Sequence, residues 1–276
     1  MRQKPKVSII TIVKNGSPYL YDTIKSFENQ SYKDKELIVV YGKSHDKTIK
    51  ILKSSKIVKK IIYQKKINLY NALNLGLKNI SGDVIGILHS DDIFFSSKSL
   101  EIVMKSYIKD KFDVAYGNIL ISNTNDYENI IRNWKSKPFK KNNLKYGWMP
   151  PHVSIFISKK NRNIMYDEKY KISSDYLYIL KILHKVKKIK YIDKYLTIMK
   201  RGGISNNHFI KFKEDLSIVK KYFKYYYLTI ILKIISKFNQ FISTKINFEK
   251  KYINLFKNNK YKFTNNPKNI IKKKRF

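Results

Sequence analysis

The sequence predicts an α/β fold in which a mostly parallel sheet is flanked by helices. Short apolar segments rich in β-branched residues recur through the first half of the chain. Segments with helical spacing of apolar residues separate them, and this alternation is typical of parallel sheets with helical crossovers. One apolar segment, residues 84–89, is followed closely by two adjacent carboxylates, Asp91 and Asp92. Because open α/β sheets bind ligands at the carboxyl ends of their strands, this pair marks the expected site.

In the first half, two of the predicted helices begin near a residue that suits a helix start. Pro18 suits the first turn of a helix, and Asp46 suits a helix cap. In the third helix, Leu69 and Leu73 fall on one face. In order, the predicted strands lie at 7–13, 37–41, 57–63 and 84–89, and the predicted helices at 18–30, 47–54 and 68–79. Together they predict a Rossmann-like nucleotide-binding half, residues 1–95.

The second half, residues 96–206, continues the pattern with one interruption. In order, it predicts a helix at 96–109, a strand at 113–122, a polar connection at 123–145, a strand at 153–157, a helix at 173–185, a strand at 189–198 and a turn at 201–205. Beyond this half, clustered tyrosines precede apolar residues at helical spacing, with lysines on the other side. We therefore expect a catalytic domain, residues 1–206, followed by a basic amphipathic helical extension, residues 207–276.

The composition restricts the classes of protein. Lys and Arg number 58 against 20 Asp and Glu, which gives a formal net charge of +38. This charge favours a polyanionic partner, although A/T-rich codons also produce an excess of Lys, Ile, Asn and Tyr.

With no cysteine, the chain holds neither a disulfide nor a thiolate metal site. Residues 1–6 do not resemble a signal peptide, and no window reaches the roughly 18 to 20 apolar residues of a membrane span, so we expect a cytoplasmic protein.

Three acidic side chains are the candidates for chemistry. Asp91 and Asp92 can hold a divalent cation, and such a cation binds a diphosphate, although a turn also favours aspartates. Asp175 is a candidate general base, or else a cap of the helix that begins nearby.

His152 and His89 are either contacts of the site or structural histidines. The turn at 202–205 is either a mobile lid or a plain surface turn.

Several motifs in a fixed order carry a resemblance to a known family. They are the opening strand at 7–15, the second strand and its turn at 36–48, the helix at 69–76, the Gly-Asp and Ser-Asp-Asp pieces within 82–92, Pro151-His152, Ser174-Asp175-Tyr176 and the Gly-Gly-Ile-Ser turn at 202–205. From about residue 5 to 205, the chain resembles the family 2 glycosyltransferases of the GT-A fold. These are inverting, nucleotide-sugar-dependent enzymes of bacterial surface polysaccharide synthesis.

The resemblance implies a role for particular residues. The donor would be a nucleotide diphosphate sugar, with Mg²⁺ or Mn²⁺ bound by Asp92 together with Asp91, and Asp175 would be the general base. The residues implied to contact the donor are Thr11, Val13, Asn15, Tyr41, Asn71 and Asp91. The acceptor would be a hydroxyl of a glycan or lipid-linked glycan destined for capsule, O-antigen or lipopolysaccharide. The extension would either lie on the inner face of the cell membrane or pack on the catalytic domain.

Some positions depart from the family pattern. Five positions that are often acidic in related chains carry other residues in this one. They are Tyr41, Gln64, Lys66, Asn71 and His89. These departures keep open the alternative of an inactive glycosyltransferase-like partner protein. The net charge keeps open a nucleic-acid-binding protein, but the lysines are spread over the whole chain and no RNA-recognition signature is present, so no nucleic-acid partner is expected.

Overall fold

In the computed structural model, the described residues are 4–123, 126–202 and 207–235. They form one sheet with the strand order β3-β2-β1-β4-β8-β6-β9-β5, and β7 pairs with β6. The strands are β1 Val7–Val13, β2 Lys35–Gly42, β3 Val58–Gln64, β4 Val84–Ile87, β5 Ile93–Phe94, β6 Val114–Asn123, β7 Asp126–Trp134, β8 Ile155–Ser158 and β9 Ile189–Lys200. The helices are α1 Leu20–Glu28, α2 Thr48–Ser54, α3 Leu69–Lys78, α4 Ser99–Asp110, α5 Ser174–Lys185 and α6 His208–Tyr222. The predicted α/β class is confirmed.

The first four strands form the predicted parallel unit. Strand β1 pairs in parallel with both β2 and β4, and β2 pairs in parallel with β3. Every residue of β1 is buried, as expected of a strand covered on both faces. The strand order reverses at β1, so the carboxyl ends of β1 and β4 border the crevice in which such sheets bind ligands.

The second half of the sheet mixes directions. Strand β8 is antiparallel to both β4 and β6, whereas β9 is parallel to β6. The carboxyl end of β9 therefore lies at the same edge of the sheet as that of β4. The segment just before β8 also lies there, because β8 runs in the opposite direction.

The predicted polar connection at 123–145 is wrong in its first part. Strand β7 lies there and pairs antiparallel with β6, with Ile119 opposite Trp134. Most of β7 is only partly buried, so its sequence lacks the apolar run of an interior strand. This strand is stabilised by its backbone hydrogen bonds to β6. Local sequence patterns do not reveal such a pairing. Strand β5 was also not predicted.

Two apolar layers cover the sheet. Helices α3, α5 and α6 pack on one face, with Leu73, Leu180 and Ile218 in a single cluster. Helices α1 and α4 pack on the other face, where Phe27 and Met104 are buried. Part of the predicted extension, α6, thus belongs to the core, and the boundary at 206 stays a prediction.

A further helical stretch, residues 226–235, has two different faces. Thr229, Ile230 and Lys233 are buried against the domain. Its exposed apolar residues, called the apolar arc below, are Tyr227, Leu228, Ile231, Ile234 and Ile235. Within the described ranges, no helix is both long enough and apolar enough to cross a bilayer. The predictions for 203–205 and for 236–276, including the rest of the amphipathic helix and the basic run at 272–275, lie outside the described residues.

Candidate active site

The loops that follow β1 and β2 are joined at the carboxyl edge of the sheet. The Asn15 amide donates to Ser44 Oγ over 3.0 Å, and Asn15 Oδ1 accepts from the His45 amide over 2.9 Å. Asp46 accepts from the amides of Ser17 and Thr48 over 2.9 and 3.0 Å. Burial opposes the charge of Asp46, but these hydrogen bonds lower its pKa to about 2. Asp46 therefore holds the two loops together and also serves the first turn of α2.

The side chains predicted to contact a donor lie in different surroundings. Thr11 and Val13 are buried, and Thr11 Oγ1 donates to the Leu88 carbonyl over 2.7 Å. Asn15 is exposed, with a left-handed φ of 51°. Tyr41 is partly buried, with its ring centroid 5.2 Å from that of Tyr63. Of these four side chains, Asn15 and Tyr41 are therefore open to a ligand.

Asn71 belongs to a separate polar cluster at the start of α3. Its amide nitrogen donates to Glu168 Oε2 over 2.8 Å, and its oxygen accepts from Gln64. Glu168 also accepts from Asn74 over 3.0 Å. A carboxylate therefore lies beside Asn71, although it comes from Glu168, nearly a hundred residues later in the chain.

Asp91 and Asp92 follow β4, as predicted, but their exposure differs. Asp91 is partly exposed, whereas Asp92 is 1% exposed. Asp92 Oδ1 accepts from the Lys200 amide at the end of β9 over 3.0 Å. Among the residues that the structure describes, Asp92 Oδ2 has no hydrogen-bond partner. Burial, reinforced by the neighbouring charge of Asp91, raises the pKa of Asp92 well above its usual range.

A buried lysine faces this pair. The Lys200 ammonium lies 3.3 Å from the ring centroid of Tyr19 and 4.1 Å from that of Tyr127. Burial lowers the pKa of Lys200 to about 8, against the opposing charges of Asp22 and Asp91. Burial likewise raises the pKa of Asp22 to about 6, against the charge of Lys200. Lys200 therefore places a positive charge near the acidic pair at neutral pH, and that charge is lost as the pH rises through about 8.

The acidic pair fits a hard divalent cation with few protein ligands. No group of three or more His, Asp or Glu side chains that could hold a metal ion occurs within 4–123, 126–202 and 207–235. Mg²⁺ typically binds through one or two carboxylates and completes its coordination with water and substrate phosphates. The unpaired Oδ2 of Asp92 beside Asp91 matches that donor set, and a cation there would relieve their mutual repulsion.

Asp175 lies in the first turn of α5, and its side chain is 27% exposed. Its Oδ1 accepts from the Tyr176 amide over 2.8 Å, and its Oδ2 lies 3.7 Å from His152 Nδ1. His152 Nε2 is in turn 2.9 Å from His89 Nε2. Burial raises the pKa of Asp175, and the charge of Lys211 opposes this shift. Two histidines thus connect the candidate base to the segment that carries Asp91 and Asp92.

Sequence reasoning missed Lys200, Asp22 and Glu214. Glu214, on α6, accepts from the amides of residues 171, 172 and 173 and so holds the segment that leads into α5. A lysine or glutamate in a chain this rich in charge gives no local signal. Asp22 resembles an ordinary acidic residue in the first turn of a helix.

The fold and this edge of the sheet define a nucleotide-binding α/β domain of the glycosyltransferase type. The model of the family described as "Glycosyl transferase family 2" matches residues 8–162. The chain belongs to this family. The predicted family and the GT-A fold are confirmed.

Known proteins similar to the chain agree with this assignment. An uncharacterised glycosyltransferase of Rickettsia typhi is 38% identical over 94 residues, which is 34% of this chain and 30% of that protein. An uncharacterised glycosyltransferase of Haemophilus influenzae is 28% identical over 257 residues, covering 87% of this chain and 98% of that protein. The crystal structure of S. aureus TarS 1-349 aligns with a TM-score of 0.64 at 17% identity, covering 89% of this chain and 75% of that one. TarS 1-349 has also been crystallised with UDP and with UDP-GlcNAc.

Proposed function

We propose that this protein is an inverting glycosyltransferase that moves a sugar from a nucleotide diphosphate sugar to a hydroxyl of a surface glycan. The observation that carries the proposal is the meeting of two acidic centres at one edge of the sheet. Asp91 follows β4, Asp175 begins α5, and His89 and His152 lie between them. The complexes of TarS with UDP and UDP-GlcNAc support a nucleotide-sugar donor for this chain.

On the donor side, the joined loops after β1 and β2 would bind the nucleotide. Asn15 and Tyr41 offer a hydrogen-bonding amide and an aromatic ring at that edge. Asp91 and Asp92 would hold Mg²⁺ or Mn²⁺. When bound, that ion supplies positive charge against the departing diphosphate. Lys200 adds positive charge to the same centre at neutral pH.

On the acceptor side, Asp175 accepts the proton of the attacking hydroxyl. A hydroxyl is a weak nucleophile until a positioned base removes its proton. The base must be ionised to do so, and burial raises its pKa, which makes the ionised carboxylate a stronger base. A base on the side opposite the leaving group leads to in-line displacement and inversion.

The test is a thermal-shift screen followed by a transfer assay. We expect UDP-, GDP- or dTDP-linked ligands to raise the melting temperature by mass action, more so with Mn²⁺. Transfer is then measured with a panel of donors and lipid-linked acceptors. Binding without transfer would support the inactive partner. Failure to bind any nucleoside diphosphate, together with salt-dependent RNA binding, would support the nucleic-acid alternative.

The proposal also places the protein at the inner face of the cell membrane. The apolar arc covers one side of the stretch 226–235, and Leu228 and Ile231 are 46% and 51% exposed. Lys220, Lys221 and Lys224 precede it closely. A helix with an apolar face and nearby cations suits an anionic lipid surface, where lipid-linked acceptors reside.

Vesicle flotation tests this placement. The protein should float with vesicles that contain anionic phosphatidylglycerol and much less with purely zwitterionic ones. The double change Ile231→Ser with Ile235→Ser should weaken flotation. Ile61→Ser, which alters an exposed residue of β3, is the matched control and should not. Equal flotation of all three proteins would contradict the membrane contact of the arc.

A further inference from the structure

Three side chains stand in a row between the donor and acceptor sides of the candidate site. His89 follows β4, His152 begins the short 3₁₀ turn before β8, and Asp175 lies in the first turn of α5. The two histidine Nε2 atoms are 2.9 Å apart, and His152 Nδ1 lies 3.7 Å from Asp175 Oδ2. Both histidine rings are only partly exposed. His152 is therefore the one residue of the row that contacts both neighbours.

The row permits one consistent arrangement of protons. Burial lowers the pKa of His152 to about 4, so its ring is neutral near pH 7 and carries one N–H. Between the two Nε2 atoms, one must donate and the other accept. If His152 donated from Nε2, its bare Nδ1 would face the Asp175 carboxylate, and two acceptors would repel. If His89 donates instead, His152 carries its proton on Nδ1, which then points at a carboxylate acceptor.

We propose that His152 is the positioning residue of the candidate base Asp175, and that His89 sets the tautomer that lets it act. This inference rests on the proposed function. It gives His89, which stands at a position where this chain differs from the family pattern, a role in the acceptor half. His152 Nδ1–H faces Asp175 Oδ2, and a closure of about 0.8 Å brings the pair to hydrogen-bonding distance. Catalytic hydrogen bonds of ligand-free enzymes are often long in this way.

The surroundings of Asp175 determine what the histidine contributes. Among the described residues, the other titratable groups that act on this carboxylate are Lys211 and Asp215 of α6, Lys233 of the stretch 226–235, and the hydroxyls of Tyr70 and Tyr166. Burial raises the pKa of Asp175 and so works against the ionised base. A donor at Oδ2 favours the ionised form, and it also fixes the direction of the carboxylate.

Nitrogen NMR tests the tautomers without any need for turnover. The chain has five histidines, so ¹⁵N-histidine labelling gives a spectrum simple enough to assign with His152→Asn and His89→Gln. At pH 7 we expect His152 to carry its proton on Nδ1 and His89 to carry its proton on Nε2. His152 protonated on Nε2 would overturn the inference. In His89→Ala the fixed tautomer of His152 should be lost.

A matched pair of variants tests the function of the contact. The amide nitrogen of His152→Asn takes the place of Nδ1 and keeps a donor toward Asp175. The amide of His152→Gln reaches the position of Nε2 and keeps only the contact with His89. We expect His152→Gln to lower kcat about 100-fold at unchanged donor KM, with the acid limb of the pH profile moved to higher pH. His152→Asn should recover most of this loss.

The outcomes separate this inference from the proposed function. Equal losses in His152→Asn and His152→Gln, with unshifted pH profiles, would show that His152 serves only packing. If the wild-type protein transfers no sugar but shows the expected tautomers, the proposed function fails while the proton arrangement stands. If transfer proceeds and His152→Gln keeps full kcat, the positioning role fails alone.

Discussion

The two acidic centres of the site share one edge of the sheet but differ in their surroundings. Asp92, behind Asp91, is 1% exposed and lies in a buried group with Lys200 and its two tyrosine rings. Asp175 has a side chain that is 27% exposed and faces a neutral imidazole. Burial raises the pKa of both Asp92 and Asp175. A buried carboxyl group with an unpaired oxygen suits the holding of a cation, whereas a partly exposed carboxylate suits the exchange of a proton.

The largest effect that follows from this contrast is expected at Asp175. Asp175→Asn removes the proposed base and should lower kcat by about 10² to 10⁴ while donor binding stays unchanged. In the wild type, kcat/KM should rise with pH through the raised pKa of Asp175, because the base acts only when ionised. Asp34→Asn, an exposed aspartate away from the site, is the matched control. Weaker donor binding in Asp175→Asn would place this residue in the donor centre instead.

A smaller, metal-linked effect is expected at the donor centre. Asp91→Asn and Asp92→Asn should each lower kcat/KM about 100-fold and remove the Mn²⁺-dependent part of the thermal shift with a nucleoside diphosphate. Because Asp92 is buried with a raised pKa and one unpaired oxygen, Asp92→Asn should not lower the melting temperature of the free protein. If Asp92→Ala keeps full turnover, Asp92 is not a metal ligand.

The sequence predicts the first half of the fold more completely than the second. Strands β1, β2 and β4 are buried, and their apolar runs identify them locally. Strand β7 is half-exposed and exists through its pairing with β6, which the sequence does not display. The order of the parallel unit follows from the alternation of elements. The antiparallel insertion of β8 between β4 and β6 depends on contacts far apart in the chain.

The difference between local patterns and distant contacts also separates the candidate site residues that the sequence identifies from those it misses. Asp91, Asp92 and Asp175 stand within motifs, so their neighbours in sequence mark them. Lys200 meets Asp92 across 108 positions, and Glu214 reaches the start of α5 across about forty. A buried partner of this kind is defined by the packing of two elements, and a single sequence gives no pattern for it.

The two buried aspartates that stand behind the two centres are expected to affect stability rather than turnover. Asp22 has a pKa raised to about 6 by burial, whereas Lys233 and Lys211 hold the pKa of Asp215 below its usual range despite burial. Asp215 and Lys233 form an ion pair of 2.9 Å with 7% and 8% exposed side chains. Asp215→Asn removes the carboxylate charge of this buried ion pair and should lower the free energy of unfolding by about 3 to 5 kcal/mol.

Asp22→Asn should behave in the opposite way. A carboxyl whose pKa is higher in the folded protein stabilises it most below the unfolded value near 3.8, and that contribution is lost as the pH rises through about 6. Asp22→Asn should therefore gain stability relative to the wild type between pH 5 and about 7. Asp215→Asn should lose stability throughout that range, because the lowered pKa keeps Asp215 ionised there. Urea titrations at several pH values measure both trends. If the free energy of unfolding of the two variants, relative to the wild type, changed with pH in the same way, the contrast between Asp22 and Asp215 would be contradicted.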